Sequence, residues 1–244
     1  MATLTIAKRE FKSYWNSPIA YVVICVSLLL LGLVFFNLNG GFFEANRASL
    51  SLLFGYVPMA LGVVVIPVIT MRLVAEEKRS GTLEMLITLP VKDHQVILGK
   101  FLGAWGLVLT LLFATALYPL MMFGVWDLGS LDSGPVLTAY LGLVIFSAAA
   151  VSIGLFISSL TESQIIAFFM TAVLMFVLHL FGTIIKINEL SGGLKEAISF
   201  VSFNSRLADF IRGMVNLRDI VFFTTITAVC LLGAFWALER RKWT

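Results

Sequence analysis

The sequence of 244 residues predicts an all-α integral membrane fold. It has six transmembrane helices, an amphipathic interface helix before the first, and re-entrant outer helices between the fifth and sixth. Three observations predict this. Hydrophobic residues make up 59% of the chain and charged residues 13%, against about 45–50% and about 25% in soluble domains. Too little polar surface remains to face water all round, so the outside must face lipid. Apolar runs recur at the length of roughly 20 residues that a helix needs to cross the hydrocarbon core. Finally, lysines and arginines are shared unevenly between the connections.

The opening residues are not the basic, apolar and small-residue series of a cleavable signal. Instead Leu4, Ala7, Phe11 and Tyr14 fall at helical spacing, with Lys8, Arg9 and Lys12 between them. That pattern predicts a helix in the membrane surface, its apolar side down and its cations towards lipid phosphates. A plain basic flank of the first span is the competing reading.

The spans fall at about 18–38, 54–73, 98–123, 136–160, 165–185 and 219–238. Pro58, Pro67 and Pro119 lie in or near them, where neighbouring helices tolerate a kink. Gly99, Gly103 and Gly106 allow a close helix approach to the third span. Cys25 and Cys230 sit in apolar runs and read as small buried hydrophobes, not a disulfide. One membrane domain over 1–244 accounts for the chain, with no separate soluble module.

Placing the amino terminus in the cytoplasm puts eleven of the 17 lysines and arginines on that side. Five of the remaining six lie in one connection, 186–218, so the shorter outer loops are nearly free of cations. The positive-inside rule favours this orientation, with both ends cytoplasmic. The 186–218 connection mixes charges with apolar residues, and Leu207, Phe210, Ile211 and Met214 have helical spacing. Two short amphipathic helices dipping into the outer leaflet satisfy this pattern, and a small extracellular cap is the alternative.

Several function classes are disfavoured. The formal net charge of +3 is too small to suggest a nucleic-acid partner. No acid lies near the midpoint of a span, where a charge costs roughly 2.5–3.5 kcal/mol and is kept for work. His179 is the one strongly polar ionisable group well inside a span, and alone it reads as a packing residue. Coupling to an ion gradient therefore has no visible means. The chain has no phosphate-loop motif, no Cys/His cluster with metal-ligand spacing and no serine with a positioned histidine.

The informative segment joins spans two and three. It reads Arg72-Leu-Val-Ala-Glu-Glu-Lys-Arg-Ser-Gly-Thr-Leu-Glu-Met-Leu86, and continues to Pro90 and Gly99-Lys100. Charged residues 76–79 break the span. Gly81 permits a sharp turn, Thr82 is a fair N-cap, and Pro90 closes a short helix over 83–89. Leu83, Leu86 and Ile87 then form an apolar knob suited to docking a partner. An ordinary solvated connector is the bland alternative.

This stretch strongly resembles the hallmark loop of type-2 ABC transporter permeases. That hallmark has an acid and a basic residue, then Gly-Thr, an apolar residue and a glutamate, followed downstream by Pro and Gly-Lys. The stretch Asp209-Phe-Ile-Arg-Gly-Met-Val-Asn-Leu-Arg-Asp-Ile-Val-Phe-Phe223 and the ending Glu239-Arg-Arg-Lys-Trp243 are similar to gliding-motility-associated permeases, the GldF type.

The resemblance implies a non-catalytic membrane subunit of an ATP-driven exporter in the bacterial inner membrane. Its expected partners are cytoplasmic ABC ATPase subunits, a second permease subunit, the lipid membrane and an auxiliary protein on the outer side. ATP and magnesium would be bound by the ATPase, leaving no cofactor or metal in this chain. The loop 72–97 would seat in the ATPase, and Ser158–Leu160 with the loop to Glu162 would approach the same partner. By match to the motif, Glu76, Glu77, Arg79, Gly81, Thr82, Leu83, Glu84 and Leu86 are the docking residues. Glu77 and Glu84 would bond to the ATPase, Gly81 and Thr82 would shape the turn, and Leu83 and Leu86 would fill a pocket. Lys8, Arg9, Phe11 and Lys12 belong to the interface helix. The alternative is a membrane anchor that passes ATPase-driven force to a protein partner and moves no substrate.

Overall fold

A computed structural model describes residues 2–37, 50–82, 92–124, 133–187 and 200–239. Among these residues every regular element is a helix. Helix α1 covers Ala2–Trp15 and α2 covers Pro18–Asn37. The second apolar run is built from α3 (Ser51–Ala60), a π-helical turn (Leu61–Val65) and α4 (Ile66–Thr70). A short helix, α5 (Ala75–Arg79), follows it. Then come α6 (Asp93–Thr115), α7 (Leu117–Gly124), α8 (Ser133–Leu160), α9 (Gln164–Ile187), α10 (Phe203–Ile211) and α11 (Leu217–Glu239).

Among the described residues, five stretches are long and apolar enough to cross a membrane: Leu53–Arg79, Asp93–Leu120, Ser133–Leu160, Gln164–Phe181 and Leu217–Glu239. The first predicted span, α2, follows α1 after a bend of 71°, and the bent pair makes a sixth candidate. The bend has a local cause. Pro18 occupies the first helical position, where its missing N–H costs nothing. The Ser17 hydroxyl caps the new helix by accepting from the Ile19 N–H at 3.4 Å.

Prolines shape two other spans. Pro67 has no N–H to continue an α-helical ladder. Just before it the chain widens by a π-turn, in which the Ile66 N–H bonds to the Leu61 carbonyl. Near Pro119 the third span breaks at Ala116, between α6 and α7. The Thr115 hydroxyl there donates to the Leu112 carbonyl at 2.6 Å and lies 3.3 Å from the Tyr140 hydroxyl.

Helix α8 is the most enclosed span, packing most extensively against α11 and also against α6, α9 and α10. Its small residues permit this. Ala149, Ala150, Ser152 and Gly154 are all buried, and a Cβ on Gly154 would overlap Thr70 of α4. By contrast α9 and α11 are the least enclosed spans. Ile165, Phe169, Met170 and Val173 of α9 and Val229 and Leu232 of α11 are exposed, as lipid-facing side chains should be.

The interface helix departs from expectation in one respect. The helix forms as predicted, but its packed face is Ile6, Ala7, Glu10, Phe11 and Tyr14, while Leu4 is 74% exposed. The reason is a protein neighbour. Helix α1 lies along the first half of α6, on the row Gly99, Gly103 and Gly106. A Cβ on Gly103 would stand 2.6 Å from Glu10 Cβ and 3.1 Å from the Ala7 carbonyl, so only glycine lets the two backbones approach this closely. Lys8, Arg9 and Lys12 are exposed on the other side.

Of the two short helices expected in 186–218, α10 is one, and the stretch 188–199 lies outside the described residues. Phe203, Leu207 and Phe210 of α10 are buried, but Met214 is exposed. The helix has ended before Met214, whose N–H bonds back to the Asp209 carbonyl at 2.9 Å.

Candidate functional site

The bundle has two polar ends. At one of them α1, α5, the start of α6 and the end of α8 converge. Lys100, about two turns into α6, is only 2% exposed there. An ammonium group so buried needs anionic partners. It finds Glu77 of α5 at 2.6 Å and Glu10 of α1 at 3.4 Å. One cation thus ties α6 to α5, 23 positions away, and to α1, 90 positions away. Among the described residues, the second carboxylate oxygen of Glu77 is buried without a hydrogen-bond partner.

Beside this cluster opens a polar cavity of about 500 Å³. Arg9, Glu10, Ser13, Tyr14, Arg72, Glu76, Glu77, Ser80, Thr82 and Lys100 line it. Tyr14 fixes its inner wall. Its hydroxyl donates to the Ile69 carbonyl at 2.9 Å, and the Arg72 guanidinium lies 4.5 Å over its ring. Burial pushes the phenol well above its usual range, so the hydroxyl remains a donor.

Helix α5 is anchored from α8 as well. The Ser158 hydroxyl accepts from the Val74 and Ala75 N–H groups at 3.2 and 3.1 Å, and donates to the Met71 carbonyl at 3.2 Å. These N–H groups open α5 and have no partner inside the helix. The Lys78 ammonium donates to the Ser159 carbonyl. Replacing Ser158 by alanine leaves two buried donors unpaired, a loss of about 1–3 kcal/mol for each. The expected result is a clearly lower unfolding midpoint in detergent and faster tryptic cleavage at Arg79. An unchanged midpoint and cleavage rate would show that Ser158 does not hold α5.

The predicted docking residues separate in this structure. Glu76, Arg79, Gly81 and Thr82 are exposed, whereas Glu77 is turned inwards to Lys100. Gly81 has φ of +71°, a left-handed turn that disfavours side chains with a Cβ. Thr82 Oγ1 lies 2.8 Å from Ser80 Oγ, closing that turn. Leu83, Glu84 and Leu86, and the helix expected over 83–89, lie outside the described residues. Phe11 is half-buried, packed on Gly106 and edge-on to Trp15 at 6.2 Å.

Sequence reasoning missed Glu10 and Tyr14 as members of this site. It counted Lys100 among the cytoplasmic cations and as the lysine of the hallmark Gly-Lys, and set Ser158 in a loop near the same partner, but gave neither its role in packing. Nothing in the sequence pairs Lys100 with Glu77.

Long apolar helices around a tightly packed central one, with buried charge among the described residues confined to the ends, define a multi-pass membrane protein. The sequence model of the ABC-2 family of transporter proteins matches residues 30–238. The chain belongs to that family. It is also 32% identical over 101 residues to the probable multidrug ABC transporter permease YbhR of Escherichia coli K12, a match covering 41% of this chain and 26% of the relative. The protein of that name from Escherichia coli O157:H7 matches to the same extent. The chain spans about a quarter of the length of the curated relatives it matches.

Proposed function

We propose that this chain is the membrane subunit of an ATP-driven ABC exporter. The α5 end is then cytoplasmic, and the loop 72–97 docks a separate ATPase. Two such permease subunits, alike or different, form the path. The observation that carries this reading is the three-way tie of Lys100 to Glu77 and Glu10 beneath an exposed turn. Helix α5, fixed this firmly to α1, α6 and α8, passes a push from below into the spans instead of absorbing it. ATP binding would close the ATPases and shift the permease between two arrangements, acting only through its differential affinity for them. The similarity of 209–223 and 239–243 to gliding-motility permeases makes a gliding or secretion machine of the inner membrane the setting we propose.

The test is a mild-detergent pull-down of the chain from its native membrane, with partners identified by mass spectrometry. A cytoplasmic ATP-binding subunit is expected with the wild type and is lost with Glu84→Lys. Gly81→Val keeps the chain inserted but weakens recovery, since a β-branched side chain resists the positive φ found there. A stable complex without any ATPase, or full recovery with Glu84→Lys, would defeat the docking role.

A further inference from the structure

At the opposite end of the bundle, between Phe200 and the first turns of α11, lies an apolar groove of about 510 Å³. Its walls include Phe200, Leu217, Val221, Phe222 and Ile226, with Arg206 and Arg218 the charged residues that line it. The two arginines differ in kind. Arg206 is buried and fully engaged. Its Nη1 donates to Asp219 at 2.7 Å, its Nε and Nη2 donate to the Phe200 carbonyl at 3.0 and 2.8 Å, and its guanidinium lies 3.9 Å over the Phe222 ring. It is a neutralised floor.

Arg218 is exposed at the rim, 5.3 Å from the Phe200 ring, with no carboxylate in ion-pair reach among the described residues. The nearby Asp209 carboxylate accepts from Asn216 at 2.8 Å. Arg212 is also exposed, and Met214, Val215 and Leu217 between the two arginines project outwards. Cations interleaved with exposed apolar side chains match the boundary between headgroups and acyl chains. The groove wall continues along α11 into exposed Val229 and Leu232, the face that meets hydrocarbon.

We propose that this groove holds one anionic glycerophospholipid from the leaflet opposite α5, its phosphate on Arg218 and an acyl chain along Val221 and Phe222. A guanidinium fork recognises phosphate through paired, charge-assisted hydrogen bonds. A zwitterionic lipid carries the same phosphate but cancels its charge with an ammonium group, so the rim favours net negative headgroups. The lipid is a resident of the α10–α11 corner, and the proposal is independent of what the protein transports.

Native mass spectrometry of the purified full chain, with phosphatidylglycerol and phosphatidylcholine supplied in equal amounts, tests it. Phosphatidylglycerol is expected to be retained preferentially. Arg218→Gln should lower that retention about tenfold, the loss expected when one charge-assisted contact is removed. Val221→Trp, which fills the groove and keeps the charge, should lower it comparably, whereas Arg79→Gln at the other end should not. Equal retention of both lipids, or undiminished retention by Arg218→Gln, would overturn the proposal. So would displacement by glycerol 3-phosphate, which would mark a site for a free anion, or a co-purifying protein that occupies the groove and excludes lipid.

Discussion

Lys100→Met is expected to lower the stability of the chain by about 3–5 kcal/mol, the usual cost of removing one partner from a buried ion pair. Methionine keeps the unbranched stem, so packing between α1 and α6 changes little. What is lost is the cation between Glu77 and Glu10. Two carboxylates then face one another with little access to water, and α5 separates from α1 to relieve them. Two readouts check this: the thermal unfolding midpoint in detergent, and the rate of tryptic cleavage after the exposed Arg79. Both should respond. A compensating variant separates charge from shape. Lys100→Met combined with Glu77→Leu removes the strongest pair as a unit, and such apolar replacements are often neutral. Recovery of much of the midpoint in the double variant is expected. A single variant as stable as the wild type would show that the cluster is not a tie.

The second large effect is expected at the other end. Asp219→Ala leaves Arg206 buried between the rings of Phe200 and Phe222 with its charge uncompensated, again a loss of about 3–5 kcal/mol. The Phe200 carbonyl still accepts two of its hydrogen bonds, which limits the cost. The destabilisation should be local to the packing of α10 on α11. Amide exchange should therefore quicken in Phe203–Ile211 before it does in α6. Combining Asp219→Ala with Arg206→Met should restore part of the loss, because no charge then remains to desolvate. Uniform quickening of exchange throughout the bundle would contradict a local clasp.

Much of the fold was legible in the sequence because lipid imposes a one-dimensional rule. A run of about 20 apolar residues must become a helix that satisfies its own backbone, whatever its neighbours do. Hence the runs behind α8, α9 and α11 were placed to within a few residues, as was α2 after Pro18, whereas the run 98–123 is divided between α6 and α7. The turn at Gly81 was legible for a similar reason, since glycine answers a local backbone demand. What only the tertiary structure decided is which charges meet. Lys100 and Glu77 lie 23 positions apart, and Arg206 and Asp219 13 apart, with no periodicity to mark either pair. The face of α1 was likewise set by the glycine row of α6, which turned Leu4 away from the packed side. Transfer into lipid is a property of each segment alone. Pairing of buried charge is a property of how segments are brought into register, and it exists only once the helices have packed.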